Sequence, residues 1–220
     1  MANVLIVHAT RHGQTTKIAR RMETALRREG HAVQLVDASR PPKSVEVWRF
    51  DVTFVGAPMY AGHYPASIVR FVRSQREFLQ RGVSAFFSVN LAVASHTTDG
   101  RSETLPRVER FIEETGWRPS RVELIAGALA YTKYNFFIRL LMRRMARKAG
   151  GDTDTSRDHE YTDWAAVERF ALEVMDQIAE TEIAPPPADH ERREAMRASA
   201  PDQPASNPRP ASSRSMTSGV

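Results

Sequence analysis

Val4-Leu5-Ile6-Val7-His8-Ala9-Thr10-Arg11-His12-Gly13-Gln14-Thr15 decides how this chain folds. Val4 to Val7 is a short, continuous apolar run, too brief for a helix and suited to a strand buried on both faces. Ala9 to Gln14 is a polar loop. From Thr15 to Glu29, Ile18, Met22 and Leu26 recur at helical spacing, and Gly30 follows as a helix-stopping residue. A buried strand passing through a loop into an amphipathic helix is the first half of a parallel βαβ unit.

The same grammar repeats downstream. Ala32 to Val36 and Val52 to Ala57 read as the second and third strands, and Gly56-Ala57-Pro58 opens a loop through Met59-Tyr60-Ala61-Gly62-His63-Tyr64. Pro65 suits the first turn of a helix carrying Ile68, Phe71 and Val72. Val83 to Val89 predicts a fourth strand, followed by a long polar loop to Gly100 and a helix through Leu105, Val108, Phe111 and Ile112, ended by Gly116. Val122 to Ala126 is a fifth strand, and Asp163 to Ala179 the last helix, with Trp164, Val167, Phe170, Ala171 and Val174 on one side. Strands alternating with helices imply an α/β fold whose parallel sheet is covered on both faces.

Roughly 35 residues separate the fifth strand from the last helix, where such connections usually take about 2 to 6. Within this insertion (131–158), the stretch from Tyr131 to Gly150 holds Lys133, Arg139, Arg143, Arg144, Arg147 and Lys148 and no acidic residue. The whole chain carries +5, so the basic excess belongs to this one segment. Such an excess points to an anionic partner: lipid headgroups, nucleic acid or a carboxylated substrate. At 100° per residue, Phe137, Ile138, Leu141, Met142, Met145 and Ala149 share one face and Arg139, Arg143 and Arg147 the other. That pattern fits a helix docked on its own domain with a solvated charged face, or an amphipathic helix lying on a membrane; the aromatics sit at one end, which fits nucleic acid less well.

The chain has no cysteine, so disulfides, thiolate metal sites and thiol nucleophiles are excluded. Any redox chemistry must come from a bound cofactor. No apolar run reaches the roughly 18 residues needed to span a bilayer, and the start lacks a signal-peptide pattern, so a cytoplasmic or peripheral protein is expected. From Ala184 onward the chain is rich in Pro, Ser, Ala and Arg, which divides it into a folded domain, 1–183, and a disordered tail, 184–220.

In open parallel sheets, ligands sit beyond the carboxyl ends of the strands, where connections diverge to opposite faces. The loops after strands one, three and four should therefore converge. Thr10-Arg11-His12-Gly13-Gln14-Thr15 offers hydroxyls, a flexible glycine and the free amides of a helix start, which suit one terminal phosphate or form an ordinary capped turn. It lacks the spacing of nucleoside triphosphate and dinucleotide loops. Tyr60, with Met59 and Tyr64 beside it, and Ser88-Val89-Asn90-Leu91 could hold a flat polar heterocycle between them; alternatively the tyrosines pack on the sheet edge.

These three stretches together resemble the flavodoxin family. More specifically, His12-Gly13-Gln14-Thr15, Gly62-His63-Tyr64, Phe86-Phe87-Ser88-Val89-Asn90-Leu91, Gly116-Trp117-Arg118-Pro119, Ile125-Ala126-Gly127-Ala128-Leu129, Gly150-Gly151-Asp152-Thr153-Asp154-Thr155 and Tyr161-Thr162-Asp163-Trp164, in that order, resemble the bacterial menaquinone-dependent protoporphyrinogen IX dehydrogenases. The resemblance runs from about residue 3 to 180 and implies a flavodoxin-like five-stranded parallel sheet of order 2-1-3-4-5, with a helical insertion after strand five. It implies FMN, with Thr10, Arg11, His12, Gly13, Gln14 and Thr15 on the phosphate. Tyr60 and Phe86, Phe87, Ser88, Val89, Asn90 and Leu91 would flank the ring, and Thr155 would sit at the pocket rim. It implies oxidation of protoporphyrinogen IX, with menaquinone or ubiquinone as acceptor, by a protein peripheral on the cytoplasmic face of the inner membrane. The insertion, residues 131–150, would meet an anionic membrane surface, and nucleic acid is not expected as a partner. No acid or base is assigned; His12 and His63 qualify by location alone. An electron carrier, an NAD(P)H:quinone reductase and a cofactor-free membrane-surface module are the competing expectations.

Overall fold

Three features of the first strand set the architecture: alternation, burial on both sides, and a parallel neighbour on each flank. In a computed structural model that describes residues 1–40, 45–94, 99–148 and 150–183, strand β1 (Asn3–His8) pairs in parallel with β2 (Ala32–Asp37) and β3 (Val52–Pro58). Strand β4 (Val83–Asn90) pairs with β3, and β5 (Arg121–Ala126) with β4, giving the order β2-β1-β3-β4-β5. The expected topology is therefore observed, and Met1–Glu182 form one compact unit. The proposed tail, 184–220, lies outside the described residues.

Alternate side chains of each strand enter different cores. Val4, Ile6, Phe54 and Phe87 pack against helices α1 (Gln14–Arg28) and α5 (Trp164–Ile183), where Ile18, Met22, Phe170 and Val174 are buried. Leu5, Val7, Val55 and Phe86 pack against α2 (Ala66–Arg81) and α3 (Gly100–Thr115), with Ile68, Val72, Phe111 and Trp117. Each such side chain contributes about 1.5–3 kcal/mol of burial. Gly56 keeps the sheet close to Phe87, since a Cβ there would fall 1.9 Å from the ring.

The helix boundaries follow local chemistry. Arg27 and Arg28 complement the carboxyl end of α1, and Gly30 at φ 82° closes it with its amide on the Arg27 carbonyl. Asp99 caps α3 by accepting from the Ser102 amide, and Gly116 at φ 66° ends that helix as its spacing predicted.

The insertion is more structured than its sequence pattern foretold. Ala128–Leu129 (β6) and His159–Glu160 (β7) form a small antiparallel pair that closes its base. Between them, α4 (Phe136–Lys148) starts at Asn135, whose Oδ1 accepts from the Ile138 amide. Of the apolar face expected from the sequence, Met142 docks, while Phe137, Leu141 and Met145 do not. Met142 and Ala146 pack with Leu91, Tyr131, Tyr134 and Tyr161, and Arg139 turns inward on the same side, donating to the Tyr134 carbonyl at 3.1 Å. The small Ala146 and the flexible Met142 allow close approach, which the larger residues do not. Phe136 (71% exposed), Phe137 (79%), Leu140, Leu141 and Met145 are left facing outward.

One buried titratable group lies where β1 meets the first loop. His8 Nδ1 donates to the Val36 carbonyl at 3.0 Å, which leaves Nε2 to accept from the Thr16 hydroxyl at 3.0 Å in the neutral ring. Burial lowers the His8 pKa, with Arg20 adding to the shift and Asp37 and the Val36 bond opposing it. A histidine depressed in the folded state takes up protons on unfolding, so its stabilising contribution is complete above the unfolded value near 6.5 and is lost as pH falls through the folded value. Thermal stability should therefore drop as the buffer is taken from about pH 7.5 to about pH 5, across the imidazole range. His8→Gln should flatten that slope; an unchanged slope would remove His8 as its source.

Candidate functional site

The carboxyl ends of β1, β3 and β4 lie in register, His8 opposite Gly56 and Pro58 opposite Val89, so the loops that follow emerge together. The first, residues 9–13, leads into α1 through Gly13. That residue adopts φ 97°, occupies the N-cap position, and provides no side-chain cap for the helix. The first-turn amides of α1 have no carbonyl of their own helix to bond. Thr10 Oγ1 accepts from the Gly13 amide at 2.8 Å, folding the loop back over the helix start. A side chain thus closes the turn but none caps α1 at Gly13, and helix-start amides of this kind suit an anion.

Three residues of the later chain complete this cradle, and sequence spacing carried no sign of them. Lys133 Nζ donates to the His12 carbonyl at 2.7 Å and lies 3.5 Å from where a Gly13 Cβ would stand. Gln14 Nε2 donates to Thr162 Oγ1 at 2.9 Å, and that hydroxyl donates to the Ala126 carbonyl at 2.7 Å, tying the helix start to the end of β5. Thr132 fixes the Lys133 segment, because its amide and hydroxyl both donate to Asp158 Oδ1 at 2.9 Å. The insertion thus places an ammonium over the loop. Arg11 remains exposed, and Thr15 is buried at the first turn.

The second loop is a tight turn. Tyr60 and His63 exchange backbone hydrogen bonds of 3.0 and 2.9 Å, with Ala61 at φ 48° and Gly62 at φ 81° between them, and the Met59 amide bonds the Val89 carbonyl. The turn presents Tyr60, 37% exposed, beside His12, whose ring meets Tyr60 edge-on at 6.0 Å and Tyr134 at 5.0 Å. The Arg11 guanidinium lies 5.7 Å from the Tyr60 ring centre. Burial, with a smaller push from Tyr134, raises the Tyr60 hydroxyl to about 12, so at neutral pH it is a hydrogen-bond donor and not a base. Burial and the neighbouring Arg11 and Lys133 charges lower the His12 pKa, which favours its neutral form.

Several expected ring contacts are corrected by the structure. Phe86 and Phe87 lie in mid-strand, fully buried on opposite faces of the sheet, and their side chains point into the two cores instead of the loop cluster. Val89 is likewise a core residue, and Ser88 is enclosed, its hydroxyl accepting from Tyr64 at 2.9 Å. Tyr64 itself packs on Phe86 and Phe111 and supports the turn from beneath. Asn90 ends β4 differently: Oδ1 accepts from the Val93 amide at 3.2 Å, while Nδ2 is buried without a partner among the described residues. That orphaned donor at a strand end is the feature a polar heterocycle would satisfy. Leu91 follows it, half-buried against the insertion. Thr155 lies in the turn before β7 and makes no hydrogen bond among the described residues; Thr162 is the threonine linked to the loop. His63 is exposed.

A doubly wound α/β sheet with free helix-start amides, and an aromatic turn and an orphaned amide donor beside them, is the arrangement that a phosphorylated heterocycle at the switch point would fit. The flavodoxin-domain family profile matches residues 5–156, and the chain belongs to that family. The protoporphyrinogen IX dehydrogenase [quinone] of Escherichia coli (strain K12) is 34% identical over 171 residues, covering 77% of this chain and 93% of that protein. A protein of the same name from Leishmania major is 32% identical over 187 residues, covering 83% of this chain and 77% of its own. Among solved structures, oxidised Flavodoxin 1 from Bacillus cereus aligns with a TM-score of 0.48 at 13% identity, covering 79% of this chain and 97% of that one.

Proposed function

We propose that this protein binds FMN at the loop cluster and oxidises protoporphyrinogen IX to protoporphyrin IX, delivering the electrons to a membrane quinone. The observation that carries the reading is 34% identity across 93% of the Escherichia coli dehydrogenase in a chain that also has the cradle. The residues fit the cofactor. A phosphate would be held by the first-turn amides of α1 with Thr10 and Thr15, under Lys133 and Arg11. The ring would lie between Tyr60 and the end of β4, where Asn90 Nδ2 has no acceptor among the described residues.

FMN held there would supply the redox chemistry between the porphyrinogen and the quinone. The chain's own residues bind and orient. Tyr60 keeps its proton and offers a donor at the rim. Neutral His12, wedged between Tyr60 and Tyr134, fixes the Tyr60 ring without adding a second positive charge beside Lys133. The test is anaerobic turnover of protoporphyrinogen IX by the FMN-loaded protein with a menaquinone analogue. Porphyrin formation matched by quinone reduction is expected. Quinone reduction driven by NADPH, with no porphyrin formed, would instead make this an NAD(P)H:quinone reductase.

No helix among the described residues is long and apolar enough to cross a membrane. The outward side chains of α4, with Arg143, Arg144 and Arg147 among them, support a peripheral attachment to anionic lipid at the cytoplasmic face. Seating Phe137 and Leu141 in the interface should contribute about 1.5–3 kcal/mol each. The double change Phe137→Glu, Leu141→Glu should then lower binding to anionic vesicles by about a hundredfold or more. FMN content should be unaffected, because neither side chain touches the cradle. Unchanged vesicle binding with a raised porphyrinogen KM would make α4 a cover over the substrate.

A further inference from the structure

Between α2 and α3, on the side of the sheet away from α1 and α5, lies a groove of about 320 Å³ with Arg70, Arg73, Arg107 and Arg110 along its walls. Its one acidic wall residue, Glu114, is already engaged: Arg73 Nη2 meets its carboxylate at 3.0 Å and its carbonyl at 3.1 Å. Arg107 donates to the Glu103 carbonyl at 2.6 Å and to no carboxylate, while Arg70 and Arg110 have neither hydrogen bond nor ion pair among the described residues. Three guanidiniums therefore share a concave surface with no ion-pair partner among the described residues.

The groove adjoins the loop cluster through the turn that carries Tyr60. A Cβ at Gly62 would fall 2.7 Å from Arg107 Nε, so this guanidinium lies directly against the turn, and only glycine at φ 81° lets it do so. Tyr64, the next residue but one, forms the apolar floor with Phe111. On the other flank of the turn, Tyr60 meets His12 and, through it, Tyr134 at the start of the apolar α4. The turn thus separates a cationic groove from an apolar surface.

We propose that this groove binds the carboxylate edge of the tetrapyrrole, an inference that rests on the function proposed above. The two propionates of protoporphyrinogen IX hang from neighbouring pyrroles on one edge, and the opposite edge carries only methyl and vinyl groups. Arg107 and Arg70 receive the propionates in the fork geometry that guanidinium offers a carboxylate, with Arg110 on the same wall as Arg107. The volume sits at the low end for ligand sites, about 300–1,000 Å³, and suits one edge of the macrocycle while its body lies over the turn.

The test compares the full-length, FMN-loaded protein with its Arg70→Gln, Arg107→Gln variant, using protoporphyrinogen IX and its dimethyl ester for KM, and protoporphyrin IX and its dimethyl ester for binding by fluorescence quenching. Losing two charged forks should raise KM and Kd for the diacid about tenfold or more, and leave the diester's binding where it is. Arg107→Lys, which keeps charge but not the fork, should fall between. Equal losses for diacid and diester, or no loss for either, would overturn the proposal. So would a selective loss of NADPH binding, which would make the groove a phosphate site. If no porphyrinogen is oxidised, the proposed function fails, while the binding comparison still reads the groove by itself.

Discussion

Gly13→Val is expected to leave the protein folded and to weaken FMN binding by roughly 5- to 150-fold, the equivalent of about 1–3 kcal/mol of backbone strain. Gly13 stands at φ 97° as the N-cap of α1, a conformation a β-branched residue adopts only under strain. Space at the first carbon is not the obstacle, because a Cβ would meet Lys133 Nζ at an ordinary 3.5 Å. The valine's γ-carbons would press on that ammonium, and relief by rotating the backbone would turn the Gly13 amide from Thr10 and swing the first-turn donors off the phosphate. Gly13→Ala, with the strain but without the γ-carbons, should show a smaller loss. FMN titration by flavin fluorescence, beside a melt of the FMN-free protein, separates lost affinity from lost fold. A folded valine variant that copurifies with stoichiometric FMN would overturn the cradle.

Trp117→Ala should cost about 3–5 kcal/mol of stability, the range for emptying a fully buried large aromatic site. In a domain of this size that is roughly 10 °C or more in Tm, at about 2–4 °C per kcal/mol. Trp117 is completely enclosed, meets Phe86 and Phe111 edge-on at 6.0 and 6.4 Å, and donates from Nε1 to Ser84 Oγ at 2.9 Å. Ser84 keeps its own bond to the Leu79 carbonyl, so the penalty is chiefly the cavity. Trp117→Phe should recover much of the loss. A Tm drop under about 3 °C for the alanine variant, equivalent to roughly 1 kcal/mol, would mean that α2 and α3 close over the gap without it.

The site was readable in outline because its position follows from topology. Once Val4 to Val7 is a buried parallel strand and Gly13 precedes a helix, that helix start is where an anion site is to be proposed, and the structure has the strand, the glycine and the helix in that order. Tyr60 was legible for the same reason, being carried by the loop after the third strand. Phe86 and Phe87 were misplaced because a motif names adjacent residues together, whereas a strand sends them to opposite faces. Asn90 was named with its neighbours in the sequence, and only the fold set it apart, its amide nitrogen lacking a partner among the described residues. Lys133 lies 121 positions from His12 and Thr162 148 from Gln14, and no local pattern links such distances.

By itself, the sequence determined what depends on short-range order: which segments are strands or helices, the parallel alternation, the strand order implied by its family resemblance, and the loops that meet at the switch point. Periodicity suffices there, because burying apolar residues at period 2 or 3.6 leaves one arrangement for each element. Only the tertiary structure decided which face of α4 turns inward. Its pattern offered an apolar face and a charged one, yet Arg139, Met142 and Ala146 meet the domain while Phe137 and Leu141 face out. Docking depends on how closely two surfaces approach and on which carbonyls need a donor, and Tyr134's carbonyl, held by Arg139, is a property of the folded chain alone.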